Sequence, residues 1–193
     1  MRTWIASVFT LAIIGQVAHA DDIDTDPAFA LVGATSWNGA YVGAAIGYGW
    51  LSDIDYAFAP PLRSSGRDVI FGGHVGYLHQ FDGYVVGAEA DIMRLDINFE
   101  GFPIDAENSY AIKARVGATL DHFLLTGHAG AVYATTNIGL KDWGWVVGAG
   151  VDYLVTNNLV AGVSFDHMRF SRFDGTLIDA RLNLVKTRLS IKF

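Results

Sequence analysis

The chain has 193 residues, one domain's worth, and its formal charge of -7 argues against a nucleic-acid partner. Cysteine is absent, which excludes disulfides and thiolate metal centres. Apolar residues reach 51%, yet no stretch supplies the roughly 20 consecutive apolar residues of a membrane-spanning helix.

The first 20 residues read as a secretory signal. Arg2 gives the positive end, residues 4–14 form a short apolar run, and Ala18-His19-Ala20 precedes Asp21 as a small-x-small cleavage site. Removing 1–20 takes away one cation and brings the formal charge to about -8. Residues 21–36 hold four aspartates and Pro27 without periodicity, and are expected to be a flexible acidic leader. Regular structure is expected from 37 to 193.

From there the chain alternates. In 38–50, Ala40, Val42, Ala44, Ile46, Tyr48 and Trp50 oppose Tyr41, Gly43, Ala45, Gly47 and Gly49, an apolar face against a small one. A long loop is expected over 51–66, which holds Pro60 and Pro61. A second strand at 67–80 sets Val75 and Tyr77 against His74 and Gly76, and Phe81-Asp82-Gly83 carries a tight-turn signal. The third, 84–96, puts Val86, Ala88, Ala90 and Ile92 opposite Gly87, Glu89 and Asp91.

After a polar loop over 97–108, the strand 109–120 sets Ile112, Ala114, Val116 and Ala118 against Lys113, Arg115 and Gly117. Asp121-His122 turns the chain into a fifth strand, 123–135, whose parity leaves both facings open. In 143–155, Trp143, Trp145, Val147, Ala149, Val151 and Tyr153 oppose Gly144, Gly148, Gly150 and Asp152. A Thr156-Asn157-Asn158 turn leads to 159–169, with Ala161, Val163 and Phe165 on one side and Gly162, Ser164 and Asp166 on the other. The last strand, 184–193, sets Val185, Thr187, Leu189, Ile191 and Phe193 against Lys186, Arg188, Ser190 and Lys192. Arg181 and Asn183 share the parity of Val185. They fit either above the apolar band or beyond a bulge near Leu184.

Eight alternating strands, very short turns near 82, 121 and 157, and longer loops near 58, 102, 139 and 173 have two solutions. A soluble lipocalin-like barrel would put the apolar parity inside. A membrane barrel puts it outside. Export, aromatics at both ends of the apolar faces, and the turn asymmetry favour the second. The expected fold is all-β, an eight-stranded antiparallel transmembrane up-and-down β-barrel in the outer membrane. Trp50, Trp143, Trp145, Tyr153, Phe165 and Phe193 are its expected membrane girdle.

The interior would then hold Glu89, Asp91, Asp152 and Asp166 against Lys113, Arg115, Lys186 and Arg188. Eight strands leave only enough room for side chains, and buried charge must be paired. A hairpin symmetric about Phe102 would place Glu89 opposite Arg115 and Asp91 opposite Lys113. A salt-bridged plug is one reading of this set, and a narrow gate for small ions is the other. Catalysis would need a Ser/His/acid set on the lipid face. His167, Ser171 and Asp174 lie near the outer end of strand seven, without a catalytic spacing. No histidine pair has metal spacing, and no cofactor is expected. Arg169 and Arg172 are candidates for lipopolysaccharide phosphates.

Several short motifs also resemble those of alphaproteobacterial outer-membrane proteins of the Omp25/Omp31/RopB type. They are residues 37–43 (WNGAYVG), 72–77 (GGHVGY), 86–91 (VGAEAD), 113–117 (KARVG) and 144–153 (GWVVGAGVDY). The order and the final Phe193 match that family over 37–193. The resemblance implies an eight-stranded barrel delivered by the outer-membrane insertion machinery, with Phe193 as the assembly signal. His74 stands where the family often has Gln, Asp152 where it often has Glu, and Gly162 and Ser164 where charges are common, which thins the implied interior network.

The function expected is that of a structural, non-enzymatic surface barrel contributing to envelope integrity, in contact with outer-membrane lipid and lipopolysaccharide. The alternative, which rests on the charged interior and not on the family's porin-like label, is a narrow porin-like channel for small solutes or ions. A third possibility is a binding protein that takes a host factor or haem on the loops 51–66 and 97–108.

Overall fold

The computed structural model describes residues 36–55, 62–98, 105–137, 139–171 and 178–193. The expected signal peptide, nearly all of the leader, Pro60, Pro61, Arg172 and Asp174 lie outside these residues. Eight strands follow in chain order: β1 (Gly39–Asp55), β2 (Leu62–Phe81), β3 (Tyr84–Asn98), β4 (Asp105–Leu120), β5 (Phe123–Thr136), β6 (Lys141–Leu154), β7 (Leu159–Phe170) and β8 (Ile178–Lys192). Each pairs antiparallel with the next, and β8 pairs with β1 to close the barrel.

The alternation sets the wall's two faces. Val42, Ile46, Val75, Val116, Val151 and Leu189 point outward and are exposed, while the charged and small parity points in. The lipocalin-like arrangement is therefore overturned. Glycine makes the narrow interior possible. A Cβ built on Gly43 would lie 2.6 Å from the Nε2 of the inward His74.

The turns at one end are as short as expected. Asp82 and Asp121 take the left-handed conformation, with φ of 49° and 54°. At Thr156, the hydroxyl accepts the N–H of Leu159 at 3.0 Å and closes the third turn. The termini of the barrel meet at this turn end. Phe193 N–H donates to Ala40 O at 2.9 Å, and Lys192 Nζ donates to Ser36 O at 2.6 Å.

The loop end differs from expectation. The expected loop 51–66 is largely strand, with β1 and β2 paired out to Asp55 and Leu62. Asp105 to Asn108, also expected as loop, belong to β4, and Lys141 and Asp142, placed before the sixth strand, belong to β6. β8 starts at Ile178 rather than 184, and its register with both neighbours is unbroken around Leu184, so no bulge lies there. Seventeen residues at about 3.3 Å each exceed what a tilted strand needs to cross a ~25 Å apolar band. Outside that band, backbone pairing alone sustains the hairpins, so polar residues such as Ser64 and Ser65 do not end them. Arg181 and Asn183 are polar on the outward face because the strand has already left the band.

Aromatic residues mark the band's edges. Phe71 and Phe81 on β2, Phe123 and Tyr133 on β5, and Trp143 and Tyr153 on β6 share the outward parity of their strands. Each pair is separated by ten residues, about 33 Å along a strand or roughly 25 Å at a 40° tilt.

The interior has three layers. Towards the loop end, Leu51, Ile70, Met93, Leu95, Met168, Phe170, Leu182 and Leu184 form one apolar cluster with smaller neighbours. Towards the turn end, Trp37, Tyr41, Leu78, Val85, Leu124, Leu154 and Val160 form another. Between them lies a belt of buried charge.

Candidate functional site

All eight predicted interior charges are buried and meet in this belt, with relative exposures from 0% for Asp166 to 6% for Asp91 and Arg188. Period-two alternation puts each on the inward face, and closure brings strands three, four, six, seven and eight to one level.

The belt has two halves. In the half nearer the turn end, Glu89 is the hub. It accepts from Arg115 Nη1 at 2.9 Å, Arg188 Nη2 at 2.5 Å and Tyr41 Oη at 2.8 Å. Arg115 also donates to Asp152 Oδ2 at 2.7 Å and to Tyr41 Oη at 2.8 Å. In the other half, Lys186 donates to Asp166 Oδ2 at 2.6 Å, and Lys113 donates to Asp91. Lys113 joins the halves through Glu89 Oε1 at 3.0 Å.

The expected pairing of strands three and four is realised, but not by the expected register. Glu89 lies opposite Lys113, and Asp91 opposite Ala111. The hairpin is thus not symmetric about Phe102, and its register shifts between Arg94 and Ile97. Arg115 and Lys113 reach Glu89 and Asp91 diagonally, which their long side chains permit.

The sequence reading missed several partners. β5 points Leu124, Thr126, His128, Val132 and Ala134 inward. His128 Nε2 lies 2.7 Å from Asp166 Oδ1, and Thr126 Oγ1 accepts from Arg115 at 3.1 Å. The signal that settles this strand is Phe123 and Tyr133 on the opposite parity, the same edge marking seen on β6. Tyr41 lies on the inward parity, and its hydroxyl links Arg115 to Glu89, a role its place on the small face does not announce. His74 Nε2 pairs with Ser190 Oγ at 2.7 Å, outside the ionic set. A cavity at the belt's lower edge, lined by Trp37, Arg115, Asp152 and Arg188 among others, measures about 20 Å³, room for about one water molecule.

Of the residues weighed for catalysis, His167 Nδ1 pairs with Asn183 Oδ1 at 2.7 Å and Ser171 is exposed, while Asp174 lies outside the described residues. Arg169 Nη2 lies 3.7 Å from Asp179. Trp50, Trp143, Trp145, Tyr153, Phe165 and Phe193 are all exposed on the outer surface, from 36% for Trp50 to 73% for Phe193.

A closed eight-stranded barrel, apolar outside and ionic inside, is the architecture of an outer-membrane protein. A family model described as "Outer membrane protein beta-barrel domain" matches residues 7–193. The chain belongs to this family. It is 29% identical over 182 residues to a 22 kDa outer membrane protein of Rhizobium leguminosarum bv. viciae, covering 83% of this chain and 80% of that one. A 25 kDa outer-membrane immunogenic protein of Brucella abortus is 27% identical over 172 residues, covering 82% and 79%. These relatives bear out the alphaproteobacterial resemblance and the outer-membrane location. Neisserial surface protein A has the same fold, with a TM-score of 0.53 at 16% identity, covering 80% of this chain and 97% of that one.

Proposed function

We propose that this outer-membrane barrel is a closed, non-enzymatic structural element that contributes to envelope integrity. The supporting observation is the layered interior. A belt of four acids and four bases lies between two apolar plugs, and every strand contributes a side chain to one layer or another. An ion crossing it would have to displace the Trp37 and Leu78 layer, break several ion pairs, and then pass the Leu51 and Met168 layer. Desolvation makes each step costly. The outer aromatics serve as the girdle that fixes the barrel's height in the lipid. Phe193, hydrogen-bonded at the closing seam, serves as the signal read by the insertion machinery.

The test is single-channel recording of the refolded barrel in a planar bilayer, after a shift between cold and boiled gel mobility shows that it has folded. A heat-dependent shift without steady conductance is the expected outcome. A reproducible small conductance that changes in a Lys113→Ala variant would replace the plug by a gate.

A further inference from the structure

The outward-facing cations are distributed unevenly. Among the described residues, Arg67, Arg94, Lys141, Arg169 and Arg181 point outward, and all lie towards the loop end. At the turn end the outward surface is Phe81, Tyr84, Leu120, Phe123 and Phe193, and the turns there carry Asp82 and Asp121.

Two of these cations are neighbours of an unusual kind. Arg169 on β7 and Arg181 on β8 are direct cross-strand partners on the outer face. Like charges in that relation repel and weaken the pair. The ordinary remedy is an interleaved acid. Asp179 approaches Arg169, but only at 3.7 Å, and among the described residues Arg181 makes no ion pair.

The row beside them, one step towards the turn end, runs His167, Asn183, Trp50, Arg67 across β7, β8, β1 and β2. The next outward row is Phe165, Val185, Tyr48, Val69, wholly apolar. Trp145 lies opposite Arg169 on β6, with its ring 5.7 Å from that of His167. The two arginines thus stand at the aromatic edge of the apolar band, near the depth of lipid headgroups.

We propose that Arg169 and Arg181 form a docking site for a phosphate group of a glycolipid in the leaflet at the loop end. A phosphate carries nearly two negative charges and three acceptor oxygens, enough to bridge both guanidinium forks and remove their repulsion. Arg67 and His167 flank the site, and Trp50, Trp145 and Phe165 offer the acyl chains an apolar wall directly beneath it. The assignment goes beyond the structural role above and does not depend on whether the interior conducts.

The test uses the full barrel, refolded in detergent and then mixed with lipid A, or with the same lipid stripped of its phosphates. Native mass spectrometry measures retained lipid, and thermal unfolding measures its stabilising effect. The wild type is expected to retain the phosphorylated lipid and to unfold at a higher temperature with it. R169Q/R181Q is expected to bind it about tenfold more weakly or worse, while R94Q, a single cation on β3, three strands from Arg181, stays within about twofold. If R169Q/R181Q does not show the heat-dependent gel shift of a folded barrel, R181Q alone carries the test, with a severalfold loss expected. Undiminished retention in the variant, or equal retention of the dephosphorylated lipid, would overturn the site. Conductance is recorded separately, so a conducting barrel that keeps its lipid would sink only the structural reading.

Discussion

The two halves of the charge belt hold the same number of acids and bases but solve the pairing problem differently. Near the turn end, two arginines converge on one carboxylate, with Tyr41 and Asp152 completing the donors and acceptors. Nearer the loop end, two lysines are shared between two aspartates, and His128 adds one further contact. Guanidinium forks are planar and fix several partners at once, whereas an ammonium is a point charge that tolerates rearrangement. The arginine half is therefore a rigid junction with one hub. The lysine half is a ladder in which each acid has a second base within 4 Å: Asp91 has Lys113 and Lys186, and so does Asp166. Redundancy, rather than charge count, should decide which half resists mutation.

The largest effect is expected at the hub. Glu89→Gln leaves two buried guanidinium groups dependent on Asp152 alone, and the cost should approach the upper end of the roughly 3–5 kcal/mol for breaking a buried ionic set. Urea unfolding in detergent micelles measures it. A loss below about 1 kcal/mol would mean that Asp152 suffices and that the hub description is wrong.

The ladder is tested by Lys113→Met, expected to cost about 3 kcal/mol because it leaves Asp91 with Lys186 at 3.6 Å. Adding Asp91→Leu removes the carboxylate left behind. The double variant should be more stable than the single one, since buried pairs replaced whole by apolar side chains are often neutral. A double variant less stable than Lys113→Met would show that Asp91 holds Lys186 in place as well.

The same contrast shows where the sequence was informative. Strict alternation on β3, β4, β6, β7 and β8 identified the barrel and all eight belt charges, because an unsuitable parity would expose charge to lipid. Two things escaped it. Strand length was underestimated at the loop end, since β1 and β2 continue beyond the apolar band, where alternation no longer has a reason to be kept. Partners across the barrel were also hidden. His128 sits on a strand whose two parities are both apolar and small, and its contact with Asp166 depends on closure of the whole sheet. Register likewise depended on the Arg94/Ile97 irregularity, which no residue type announces.

The smallest expected effects complete the comparison, in one residue from each half. Tyr41→Phe removes a hydroxyl that donates to Glu89 and accepts from Arg115, so a buried guanidinium N–H loses an acceptor, at about 1–2 kcal/mol. His128→Gln retains a donor that can reach Asp166, which also keeps Lys186, and Gly148 leaves space for the side chain. Its cost should stay below about 1 kcal/mol. Both are read from the temperature at which the folded gel band is lost. If His128→Gln proves the more damaging, the lysine half is not redundant. The histidine would then be the contact that orients Asp166 towards Lys186, and the ladder would have a hub of its own.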